Sequence, residues 1–121
     1  MTRVRVKRVY ETAEHGDGVR VLVDRLWPRG VKRDAAAIDH WLKDAAPSTA
    51  LRKWFGHDPA RWTEFRRRYR AELSGNADDV EALRKLAKGR RPLTLVYAAR
   101  DPEHNHALVL RDFLTSPRRL R

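Results

Sequence analysis

Residues 24–29 read Asp-Arg-Leu-Trp-Pro-Arg and follow directly on the apolar run Val21-Leu22-Val23. The carboxylate of Asp24 can act as an acid or base, or hold an arginine in place. Arg25 and Arg29 can grip a phosphate or carboxylate through bidentate forks. Trp27 offers a flat apolar surface to a ligand, or an anchor to a protein partner. The same residue types also make a structural ion pair beside a packed tryptophan, and buried pairs of that kind are common without catalysis. On residue type alone both readings stand.

A second cluster, Arg100-Asp101-Pro102-Glu103-His104-Asn105-His106, lies between an apolar run at 93–99 and a helical pattern. A helix start offers free backbone N–H groups and a positive dipole end to an anion. His106 can carry a proton near neutral pH, which makes Asp24 and His106 the candidate catalytic pair. Asn105 joins the candidate ligand-binding residues, whereas His104 reads more simply as surface polarity. Asp101, His104 and His106 are metal-ligand types, but His-x-His at a helix start lacks a zinc-site spacing. No metal and no cofactor is expected. Ser48 and Arg52 complete the ligand-binding set of Arg25, Trp27, Arg29, Ser48, Arg52 and Asn105. Ser48 reads first as a helix cap, since no Gly-x-Ser-x-Gly elbow surrounds it.

These residues need elements to hold them. Val4 and Val6 alternate with Arg3, Arg5 and Lys7, the period of a half-buried strand. Val19–Leu26 and Leu93–Ala99 are nearly continuous apolar runs, which suits strands covered on both faces of a parallel sheet. Asp24 and Arg25 would then point to opposite faces. Residues 33–46 are hardest to assign: Asp34 can cap a short helix over Ala35–Ile38, and His40–Lys43 fits a short strand or more helix. Ser48 caps a helix over Leu51–Phe55 that stops at Gly56. Asp58 and Pro59 open a longer helix carrying Trp62, Phe65, Tyr69 and Leu73 on one stripe and Arg61, Arg66, Arg67, Arg68 and Arg70 elsewhere. Asp78 or Asp79 opens another that ends at Gly89. Asp101-Pro102 opens the last, which Pro117 ends, leaving a basic tail at Arg118–Arg121.

Strands alternating with helices predict an α/β fold: a single three-layer domain over residues 1–121, with a small, mainly parallel sheet flanked by helices. Ligands of such sheets bind beyond the carboxyl ends of the strands, so the clusters at 24–29 and 100–106 are expected to meet at one edge.

The 121 residues carry 41% hydrophobic and 36% charged side chains, enough for one core beneath a charged surface. The absence of cysteine excludes disulfides and thiolate chemistry. No apolar run has the length of a membrane span and Met1–Tyr10 is basic and alternating, so a cytoplasmic protein without membrane contact is expected. The net charge of +11 points to an anionic partner. A genome rich in G and C accounts for 21 arginines against 6 lysines, but not for the excess of basic over acidic residues. Two partners follow: an anionic small molecule at the strand ends, or nucleic acid on the Arg66–Arg70 helix face, whose bland alternative is a solvated surface. Oligomeric state is not readable from the sequence.

The segments Lys7-Arg8-Val9-Tyr10, Gly18–Gly30 with its Trp-Pro-Arg-Gly end, Ala46-Pro47-Ser48, Leu51–Pro59 and Thr94–Asp101 together resemble the bacterial domain-of-unknown-function family 488, in its YeaO-like branch. The resemblance covers nearly the whole chain and implies a small α/β domain of no established activity. Longer relatives look as if they carry Asp-Val-Arg where Asp24-Arg25 stands and Cys-His-Arg near Asn105-His106-Ala107. Thiol chemistry inferred from them does not carry over to a chain without cysteine.

Overall fold

In the computed structural model, which describes residues 4–116, four strands form one all-parallel sheet. They are β1 (Val4–Arg8), β2 (Val19–Leu22), β3 (His40–Trp41) and β4 (Leu93–Tyr97), in the order β1-β4-β2-β3. The two apolar runs are thus the two central strands, and every residue of β4 is buried. Both end earlier than their hydrophobicity suggests, at Leu22 and Tyr97. Residues 24–26 and 98–105 therefore continue beyond the strand ends. Basic residues 118–121 and Pro117 lie outside the described residues.

Alternation divides the sheet between two cores. Val21, Val23, Leu93, Leu95 and Tyr97 pack beneath α2 (Thr49–Phe55), α3 (Trp62–Ser74), α4 (Ala77–Ala87) and α5 (His106–Thr115). Leu22 and Val96 face the thinner opposite layer, built from α1 (Arg33–Ala36) and the segments carrying Trp27, Val31 and Trp41. The domain is accordingly helix–sheet–helix, with unequal outer layers.

Three of the helices, α2, α4 and α5, start after a polar side chain that accepts a free N–H group. Ser48 Oγ accepts from Leu51 N (3.1 Å) and donates to Glu72 Oε2 (2.6 Å), joining α2 to α3. Asp58 does accept a capping bond, from Ala60 N, but caps a 3-10 turn over Pro59–Arg61, and α3 begins only at Trp62. Asn76, not Asp78 or Asp79, caps α4, and Asp34 lies inside the first turn of α1 without capping it. The largest shift is in α5. Asp101 spends its carboxylate on the N–H groups of Glu103 and His104, closing a local turn, so the helix opens at His106 under Asn105. Along α3, Phe65, Tyr69 and Leu73 are buried and Trp62 is half-buried, as the stripe predicts. Burial pushes the Tyr69 hydroxyl well above its ordinary pKa, and that hydroxyl donates to Ala45 O at 2.5 Å. Tyr69 thereby ties Ala45 to α3.

Candidate functional site

Parallel strands finish at one edge, so β1, β2 and β4 deliver their following residues to the same place. A cleft of about 920 Å³ opens there. Arg8 and Tyr10 reach it from the end of β1, Asp24, Arg25 and Leu26 from beyond β2, and residues 98–101 and 104–106 from beyond β4. Pro47, Arg52, Phe55 and Phe65 close it from the helical side.

Asp24 and His106 meet on its floor, both half-buried. Trp41 Nε1 donates to Asp24 O at 2.7 Å, and Ala98 N donates to Asp24 Oδ2 at 3.0 Å, so backbone and carboxylate are both pinned. His106 Nε2 lies 2.9 Å from Val23 O and 3.1 Å from Asp24 Oδ1. A carbonyl oxygen only accepts, so the Val23 bond requires the proton on Nε2. That bond leaves Asp24 Oδ1 buried and without a hydrogen bond of its own among the described residues. The ring nitrogen left over is Nδ1.

The arginines divide into two kinds. Arg8 and Arg25 are held by the chain. Arg8 Nε donates to the carbonyls of Ala98 and Ala99 (3.3 and 3.0 Å), and Arg25 donates to Pro47 O and Ala46 O and pairs at 3.4 Å with Asp44. The exposed Arg52 and Arg100 guanidiniums pair with no carboxylate among the described residues. Asp101 is committed to His104 at 2.9 Å, and its bonds from Glu103 N and His104 hold its carboxyl below the ordinary range. Four guanidiniums therefore share the cleft with two carboxylates, each already engaged within the fold.

The sequence-derived set is only partly assembled. Asp24, Arg25, Arg52, Asn105 and His106 line the cleft, whereas Trp27, Arg29 and Ser48 do not. Trp27 turns to the thin layer, edge-on to Trp41 at 5.4 Å, and donates to Val31 O. Arg29 is exposed and contributes its carbonyl to Tyr10. Ser48 is occupied by α2 and Glu72. Asp24 and Arg25 do not split across a strand, because β2 has already ended. Asp24 contacts Ala98 and His106, not an arginine. Asn105 is 2% exposed and spends its amide on Leu108 N and Asp101 O. Arg8, Tyr10 and His57 were not foreseen there. The signal for Arg8 and Tyr10 was their place at the carboxyl end of a predicted strand, and His57 had none. Among the described residues, no three His, Asp or Glu side chains are grouped to hold a metal ion, and no helix is long and apolar enough to cross a membrane.

A small parallel α/β domain with a cationic cleft beyond its strand ends is the class these observations define. The chain belongs to the DUF488-N3i family, described as the inactive DUF488-N3 subclade, whose model matches residues 3–119. It is 48% identical to the uncharacterized protein YeaO of Escherichia coli strain K12 over 113 residues, covering 93% of this chain and 97% of that one. It is 50% identical to the uncharacterized protein Rv3073c of Mycobacterium tuberculosis strain H37Rv over 113 residues, covering 93% and 94%. No solved structure gives a significant match.

Proposed function

We propose that this protein binds a small phosphate- or carboxylate-bearing molecule in the cleft at the strand ends. The observation that carries the proposal is the pair Arg52 and Arg100, exposed guanidiniums lining a concave site with no carboxylate partner among the described residues. The start of α5 adds its dipole to their field. Binding without turnover agrees with the family's description as inactive. It also agrees with Asn105, a buried cap, standing near where longer relatives look to carry a cysteine.

Hydrogen bonds to charged groups contribute about 1.5–3 kcal/mol each. The double variant Arg52→Ala/Arg100→Ala should therefore bind inorganic phosphate or citrate at least about tenfold more weakly, measured by isothermal titration calorimetry. Arg29→Ala, outside the cleft, should match the parent. Equal affinity in parent and double variant would sink the proposal.

A second reading, that the cleft also moves a proton, is favoured by the unbonded Asp24 Oδ1 lying 3.1 Å from His106 Nε2. With Nε2–H committed to Val23, Nδ1 is the atom to take a proton from a ligand or return it. Nitrogen-15 NMR of the neutral ring should show the Nε2–H tautomer, and an Nδ1–H signature would rule this out. The nucleic-acid alternative draws on the +11 charge and the Arg66–Arg70 run. On the α3 face Glu64 already engages Arg67 and Arg68, and their hydrogen bonds pull its carboxyl down to about 2.

A further inference from the structure

We infer that the anion taken by this cleft carries a flat apolar body, with an aryl phosphate or an aromatic carboxylate as the simplest chemistry. The inference rests on the anion-binding proposal and adds the substrate class.

Two large hydrophobic side chains are exposed among the described residues, Leu26 at 64% and Tyr10 at 49%. Single exposed hydrophobics are ordinary on protein surfaces. These two, however, come from the loops that follow two different strands, β1 and β2, and line one concave site. Exposed apolar surface gathered in a cavity marks a place where something apolar sits.

Tyr10 is also held ready. Its hydroxyl donates to Arg29 O at 3.0 Å, and the Arg8 guanidinium lies 4.6 Å from its ring centre. Arg8 is in turn fixed by the carbonyls of Ala98 and Ala99. A ring settling on a wall whose rotamers are already fixed forfeits little further entropy. Pro47, Phe55, Phe65 and Ala98 continue the apolar lining inward.

Size and charge point the same way. A cleft of about 920 Å³ is in the range that holds whole organic ligands, and an oxyanion alone would leave most of it to water. Arg52 and Arg100 supply the countercharge for a single anionic head. The cleft thus presents an apolar wall and a cationic site to one molecule.

The test compares matched pairs on the full chain by calorimetry: phenyl phosphate against methyl phosphate, and benzoate against acetate. The aryl member should bind on the order of tenfold more tightly than its methyl counterpart at equal charge. Which pair binds more tightly distinguishes a phosphate head from a carboxylate. Leu26→Ser, an exposed change that spares the fold, should reduce the aryl-to-methyl ratio at least about threefold, and Tyr10→Ala should reduce it further. Arg52→Ala/Arg100→Ala should weaken both members of a pair together. Equal affinity for phenyl and methyl phosphate would overturn the apolar body and leave the anion proposal standing. An aryl preference untouched by Leu26→Ser and Tyr10→Ala would place the ring elsewhere and overturn the inference as well. No binding by either pair would overturn both proposals.

Discussion

Asp17→Ala is expected to destabilise the fold by about 3–5 kcal/mol, the cost of leaving a buried charge without its partner. Asp17 is 5% exposed and Arg20 3%, beneath the thin layer of the sheet. Arg20 NH1 donates to Asp17 Oδ2 at 2.6 Å, Lys7 Nζ to Oδ1 at 3.1 Å, and Glu14 N to Oδ2 at 3.0 Å. The other guanidinium nitrogens donate to Ala36 O and Ala37 O, where α1 ends, so one side chain ties β2 to the covering layer. Arg20 keeps those carbonyls in the variant, which should therefore fold, though less stably. Urea unfolding at pH 7 measures the difference, and a loss below about 1 kcal/mol would refute this account.

The same network gives stability a defined pH dependence. Burial works against the Asp17 carboxylate, but bonds from Glu14 N, Lys7 and Arg20 outweigh it and lower its pKa below the ordinary 3.8. Its contribution is present above 3.8 and is lost as pH falls through the depressed native value. Burial likewise works against charged Lys7, yet its bonds to Glu14 and Asp17 raise its pKa above 10.5. That contribution is present below 10.5 and is lost as pH rises through the elevated native value. The gap between parent and Asp17→Ala should accordingly narrow in acid below about pH 4 and in strong base. A gap that is flat across the acid limb would contradict it.

Gly18→Ala should cost roughly 2–6 kcal/mol, combining a strained backbone with overpacking. Gly18 sits at φ 70°, ψ −132°, a conformation glycine adopts readily and residues with a Cβ do not. An added Cβ would also lie 2.2 Å from Pro92 O and 2.9 Å from Pro92 Cδ. Pro92 O is no idle neighbour, because it accepts from Val19 N at 2.9 Å where β2 joins β4. Relief of the clash must therefore disturb the first contact between the two central strands. Gly16 makes the control: a Cβ there meets nothing within 4 Å, and Gly16→Ala should stay within about 0.5 kcal/mol. Thermal unfolding followed by circular dichroism compares the two. Similar melting temperatures for both variants would show that the close approach to Pro92 is tolerated.

Much of the architecture was legible in the sequence because it is local. The run 21–23 is apolar throughout and 93–97 is broken only by Thr94, a pattern that suits a strand covered on both faces. Ser48 reads as a cap because a hydroxyl three residues before an apolar helix residue meets a free N–H. Helix starts misled wherever two cap-competent residues stood close together. Asp101 and Asn105 are both suited to the role, and the choice between them depends on how the 98–105 loop packs.

The sequence by itself determined the α/β class, the two central strands, the family, and the two polar segments that supply the cleft. Only the tertiary structure decided which of their side chains line it. Trp27 and Arg29 lie outside it because β2 stops at Leu22 and the following loop packs Trp27 on Trp41. Arg8 and Tyr10 belong to it because β1 lies beside β4 and shares its direction. Arg20 alternates with valines like a solvent-facing residue and is buried because α1 folds across it. The bond between His106 and Val23 spans 83 residues. No local periodicity encodes such a contact, since it forms only when α5 and the sheet have packed together.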